Sequence, residues 1–181
     1  YTLQNTSSAN KEVGLRIMLD LAADSIFGES DNPIVIIPET GGQKQIRYET
    51  EYQGVDIPDY WQTLSYLNIM NKDYQRYTMG VLSGLGDKNP DRLIVGHWKS
   101  FADNLWSYQP DSSLDFMSVD NKYQSSDSAV AIYYDSVSLK PGETLYYETH
   151  YGVGRNLISK NPFQPDNTIY PAIIELAANG D

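Results

Sequence analysis

Alternation at period two is the feature that most constrains this chain. In Lys44–Tyr52, Ile46, Tyr48, Thr50 and Tyr52 fall on one side of an extended backbone, and Gln45, Arg47, Glu49 and Glu51 fall on the other. Successive strand side chains point to opposite faces, so this pattern predicts a half-exposed strand. Glu143–Tyr151 behaves the same way, with Leu145, Tyr147 and Tyr151 set against Thr144, Tyr146, Glu148 and His150. The chain has fifteen Tyr against four Phe. Tyrosine suits a pleated, half-buried surface, with its ring packed and its hydroxyl near water.

Further strands are expected at Ile34–Ile37, closed by Pro38, and at Arg76–Leu82 and Arg92–Trp98. Ser128–Tyr134 is apolar on both faces and predicts a central strand covered on both sides. In Val13–Ala23 the odd positions from Val13 to Leu21 are apolar, as a strand requires. Leu15, Leu19 and Ala22 would equally line one face of a helix, and strand is the preferred reading. Lys99–Leu105 offers one or two helical turns. Turn chemistry separates these segments at Ser30–Pro33, Glu39–Gly42, Gly84–Pro90, Gln109–Ser113 and Lys140–Gly142.

Many short strands with regular turns predict an all-β fold, a large and mainly antiparallel β-sandwich with at most one or two short helices. Its 181 residues suit one such domain. The sandwich is expected over 1–155, with 156–181 a loop-rich extension that ends in a strand at Tyr170–Leu176 and leads toward a following module. The chain opens at Tyr1 in what already reads as strand, so a piece of a longer protein is expected.

Thirteen basic and twenty-four acidic residues give a net charge of −11, and the basic residues form no run. A phosphate backbone would be repelled, so nucleic acid is not an expected partner. No apolar stretch approaches the ~20 residues of a membrane-spanning helix, so no membrane insertion is expected. Neutral polar ligands such as glycans, and divalent cations, suit the charge better. Cysteine is absent, which removes disulfides, thiolate catalysis and Cys-based metal sites.

One order of short motifs carries a resemblance. It runs Val13–Asp20, Asp31-Asn32-Pro33, Ile57-Pro58-Asp59-Tyr60-Trp61, Pro90–Val95, His97-Trp98, Trp106, Asp127–Tyr134, Leu139–Glu143 and Tyr151–Gly154. This resembles poorly characterised bacterial extracellular or cell-envelope modules with a β-sandwich of supersandwich type, found in large surface proteins. The resemblance implies an extracellular or cell-surface setting beside neighbouring domains of the same chain; glycans and host or cell-wall surfaces are the further candidate partners. It implies no catalytic residues. A non-catalytic spacer or adhesion module is therefore the expected function.

The second reading is a carbohydrate-binding module, because aromatic rings stack on sugar faces while polar neighbours bond to hydroxyls. Its expected platform residues are Trp61 with Asp59 and Tyr60, and Trp106 with Tyr108; Trp98 reads as buried. The third is a carbohydrate-active enzyme, for which Glu49, Glu51, Asp135 and Glu148 are candidate carboxylates. Glu49 and Glu51 would lie on one strand face about 6.5–7 Å apart. His97 and His150 lack zinc-ligand spacing and read as one packed and one surface histidine. No Gly-x-Ser-x-Gly elbow is present, and Ser83 reads as a turn residue. Asp20, Asp24, Glu29, Asp31 and Asn32 form an oxygen-rich cluster that would suit Ca²⁺ at the end of the first long strand. Asp87–Asp91 opens like a calcium loop but then lacks its glycine and its closing glutamate.

Overall fold

A computed structural model describes residues 1–22, 33–40, 42–64, 77–84, 88–104 and 106–154. The described chain is all-β, built from eleven strands with one short α-helix and one 3₁₀ turn. In chain order the strands are β1 (Thr2–Gln4), β2 (Lys11–Asp20), β3 (Ile34–Glu39), β4 (Gly42–Ile46), β5 (Thr50–Gln53), β6 (Tyr60–Leu64), β7 (Tyr77–Val81), β8 (Arg92–Gly96), β9 (Ala129–Leu139), β10 (Thr144–Tyr146) and β11 (His150–Gly154). The helix α1 spans Trp98–Ala102.

Two antiparallel sheets form the sandwich. The first runs β11-β7-β6-β3-β4 and the second β2-β9-β8-β5, while β1 and β10 pair as a separate ribbon. One apolar core joins the two sheets. Val35, Ile37, Ile46 and Trp61 come from the first, and Ile17, Leu93, Val95, Val130, Ile132 and Tyr134 from the second. The alternate residues of the second sheet, Ile94, Ala129, Ala131 and Tyr133, face outward into another buried cluster with Phe101 of α1.

Val13–Ala23 is resolved in favour of strand over its described part. The odd residues Ile17 and Leu19 join the inner core, while Met18 packs on the outer cluster. Ser128–Tyr134 becomes the start of β9, which lies between β2 and β8 and is buried on both faces through Tyr134.

Several strand bounds are corrected. Lys44–Tyr52 is not one strand, because the chain leaves the first sheet after β4 and enters the second at β5. Between them, residues 114–116 capture the backbone: Glu49 N–H donates to Leu114 O at 3.2 Å and Phe116 N–H to Arg47 O at 3.2 Å. The alternation continues across the crossing, and so it conceals the break. Glu143–Tyr151 divides similarly into β10 and β11, with Tyr147 buried between them. Arg92–Trp98 ends as strand at Gly96, because His97 caps α1 and Trp98 opens it.

Pro38 does not close β3, which runs on to Glu39. Pairing with β6 stops at Ile36, so on that side no ladder hydrogen bond is lost at the proline. Within 156–181, the expected strand at Tyr170–Leu176 lies outside the described residues.

Candidate functional site

The densest polar constellation lies on the outer face of the second sheet. α1 and the residues near Trp106 and Tyr108 cover this face, whereas Leu114–Met117 return to the crossing between the sheets, where Phe116 joins the inner core. At the centre of the constellation Glu49 is only 2% exposed. The carboxylate accepts from the Tyr108 hydroxyl, from Asp111 N–H at 2.8 Å and from His97 N–H at 3.3 Å. Gly96 makes room for it: a Cβ there would come within 3.0 Å of the Glu49 side chain. A buried carboxylate is tolerable when its oxygens are hydrogen-bonded in this way. Burial, and then the bond to Glu49, push the Tyr108 hydroxyl above its ordinary value.

Glu51 has a different partner, the Arg92 guanidinium. Arg92 also lies over the Tyr133 ring, 4.9 Å from its centre, and donates to Tyr108 O. The two glutamates are thus both engaged by protein groups. They do not face each other across a cleft, as paired carboxylates of a glycosidase must.

His97 is 1% exposed and continues the network. Its Nδ1 accepts from Lys99 N–H at 3.1 Å, which caps α1, and its Nε2 lies 3.1 Å from Ser125 O and 3.3 Å from Ser125 Oγ. The tautomer follows from these partners. An Nδ1 that accepts requires the proton on Nε2, where it donates to the Ser125 carbonyl. In that form His97 cannot take a proton from Ser125 Oγ at Nε2, so the pair lacks the polarity of a nucleophile and its base. Ser100 Oγ and Tyr123 OH, 3.0 Å apart, extend the cluster, and the Tyr123 ring lies 4.5 Å from the imidazole.

Beside this cluster is a polar cleft of about 320 Å³ that includes Asp111, Asp115, Asp120, Asn121 and Lys122 in its lining. Asp111 accepts from Ser113 N–H at 3.0 Å and Ser113 Oγ at 2.6 Å, bonds that hold its carboxyl below the ordinary value. Asp115 pairs with Arg47 at 2.7 Å. No group of three or more His, Asp or Glu able to hold a metal ion occurs among the described residues. A second groove of about 620 Å³ lies beside Ile17, Leu19, Glu148, His150 and Tyr151. On its rim Glu148 and His150 pair at 2.6 Å, which makes His150 the surface histidine and His97 the packed one.

The expected sugar platform at Trp61 is corrected. Trp61 lies in β6, and the alternation turns it inward, where it has no exposed surface. Its indole stacks on Tyr151 with ring centres 5.4 Å apart. A Cβ on Gly80 would lie inside that indole, so the glycine opposite is what admits it. Of its expected companions, Asp59 holds Ser83 Oγ at 2.6 Å, and Tyr60 is half-buried, its hydroxyl raised by burial and then by Asp59.

Trp106 sits on the opposite layer and is 38% exposed. Its ring meets Tyr133 edge-on at 5.7 Å and covers Gly14, where a Cβ would come within 2.8 Å of it. Tyr108 points into the Glu49 cluster instead of outward. The expected aromatic residues are therefore divided between the inner core and the outer cover. Of the expected Ca²⁺ cluster, Asp20 ends β2, and Asp24, Glu29, Asp31 and Asn32 lie outside the described residues. Of Asp87–Asp91, Asp87 lies outside the described residues; Asn89 Oδ1 accepts from Gly84 N–H at 3.3 Å and Asp91 pairs with Lys88 at 2.6 Å.

Sequence reasoning missed the role of Glu49 as a buried anchor. Its partners lie 48 to 62 residues away, and alternation alone assigned it to a polar face. Neither a family model, nor a curated protein, nor a solved structure matches this chain.

Proposed function

We propose that this chain is a non-catalytic β-sandwich module of a secreted or cell-surface bacterial protein, acting as a spacer or adhesion unit. One observation carries the non-catalytic part: the groups best suited to chemistry are occupied in holding the fold. Glu49 serves three donors, Glu51 serves Arg92, and the tautomer of His97 is fixed by the α1 cap and Ser125. The surface setting rests on the spaced motifs from Val13 to Gly154. The experiment is a glycoside turnover panel run with the wild-type chain. No turnover is expected. Turnover lost in Glu49→Gln or Glu148→Gln at unchanged melting temperature would overturn the reading.

A second reading, glycan binding, has one observation in its favour. Trp106 presents part of its indole to solvent beside Arg16 and Asn104, whose side chain and backbone are bonded at 3.0 Å. Its test is a glycan array with Trp106→Ala. Binding by the wild type that the variant loses, at a stability cost of about 1 kcal/mol or less, would establish it. An array on which the wild type binds nothing would remove it.

A further inference from the structure

The cover over the outer face of the second sheet is held at its start by a titratable side chain in a form that protonation destroys. His97 Nδ1 is the acceptor for Lys99 N–H, and Nε2 is the donor to Ser125 O. An imidazolium has two donors and no acceptor. A proton on Nδ1 would face the Lys99 N–H at 3.1 Å, so the capping bond and the charged ring exclude each other. The imidazole is also clamped. Tyr123 packs on one side, and the His97 backbone N–H is held by Glu49. The ring therefore cannot take up charge without leaving its place or releasing α1.

From this geometry we infer that His97 is a pH-operated latch: neutral, it fastens the start of α1 over the sheet, and protonation releases that turn, whereas the Nε2 bond to Ser125 O survives it. What release uncovers is apolar. Ile94, Ala129, Ala131 and Tyr133 lie beneath Phe101, each with 1% exposure or less. Acidification thus converts a polar face into a sticky one while the inner core stays closed.

Burial sets the direction, and the charged groups around the imidazole modify it. Burial lowers its affinity for a proton, and this outweighs the Ser125 carbonyl and the Glu49 carboxylate, which raise it; Lys122 and Lys99 lower it further. The folded value therefore lies below the ordinary 6.5. A group whose folded value is depressed in this sense favours the closed form above 6.5 and loses that contribution as pH falls toward the folded value. Between the two values the open form binds one more proton, so opening rises by up to about tenfold per pH unit.

Amide exchange of the wild-type chain, followed by NMR from pH 7.5 to 5.0, tests this. Protection at Lys99, Phe101 and Asp103, corrected for intrinsic exchange, is expected to fall by up to about tenfold per unit below 6.5, while Val130 and Ile132 of β9 stay protected. His97→Asn supplies a cap acceptor that does not titrate, and its protection should be flat across the range. His150→Gln should behave as the wild type. Flat protection in the wild type, an equal fall in His97→Asn, or a parallel loss at Val130 and Ile132 would each overturn the latch. If His97→Asn does not fold, the wild-type imidazole nitrogens decide: their titration must coincide with the loss of protection at Lys99, and separate transitions would overturn the proposal.

Discussion

The two faces of the β2-β9-β8-β5 sheet are buried by opposite means. On the inner face, Leu93, Val95, Val130 and Ile132 meet apolar side chains of the other sheet. On the outer face, Ile94, Ala129, Ala131 and Tyr133 lie under a segment with one helical turn and many turns, fastened by hydrogen bonds to a buried carboxylate and a buried imidazole. The inner face depends on area removed from water and tolerates any apolar side chain of suitable volume. The outer face depends on particular donors meeting particular acceptors, and the loss of one leaves its partners stranded.

The comparison can be broken from the inside first. Trp61→Ala empties the largest fully buried side chain of the core and should cost about 3–5 kcal/mol, read from the denaturation midpoint. The whole sandwich should weaken together. Glu49→Ala attacks the other face. It leaves the Tyr108 hydroxyl and the Asp111 and His97 amides without their acceptor, at a cost of about 2–3 kcal/mol. Its signature is locality: proteolysis within 103–127 should accelerate more than exchange in β9 does. An equal loss in both places would show that the cover and core are one cooperative unit. The smallest effect sharpens the contrast. The Tyr133 hydroxyl is buried and has no hydrogen-bond partner among the described residues. Tyr133→Phe should therefore be neutral or stabilising, within about 0.5 kcal/mol in the midpoint.

The same contrast explains what could be read in the sequence. The inner core was legible because it is local: Val130, Ile132 and Tyr134 alternate with Ala129, Ala131 and Tyr133, and both sets are apolar. Strand is the preferred reading of Val13–Ala23 over helix, and a central strand is expected at Ser128–Tyr134, for that reason. Strand ends were less legible, since the chain can change sheets at Arg47–Glu49 without disturbing the alternation. Trp61 follows the same rule: Pro58-Asp59-Tyr60 has turn composition, yet β6 begins at Tyr60 and carries the indole inward. The outer cover was hardly legible. Nothing near Glu49 in the sequence announces Tyr108 or Asp111, and nothing near His97 announces Ser125. Hydrogen bonds between distant residues leave no periodicity.

The pairing of β2 with β9 has a consequence for how the molecule is made. Lys11 lies opposite Leu139 and Asp20 opposite Ala129, so the longest ladder joins the second strand to the ninth. As the polypeptide is synthesised, the first long strand has to wait until β9 has been made before it finds its neighbour. Its Leu15, Ile17 and Leu19 stay without a home for that interval. A nascent chain stopped short of residue 129 would have no central strand on which to build the second sheet. Assembly of the second sheet is thus deferred until β9 is in place, and a copy that stops before it would be a substrate for degradation, not a smaller version of the fold.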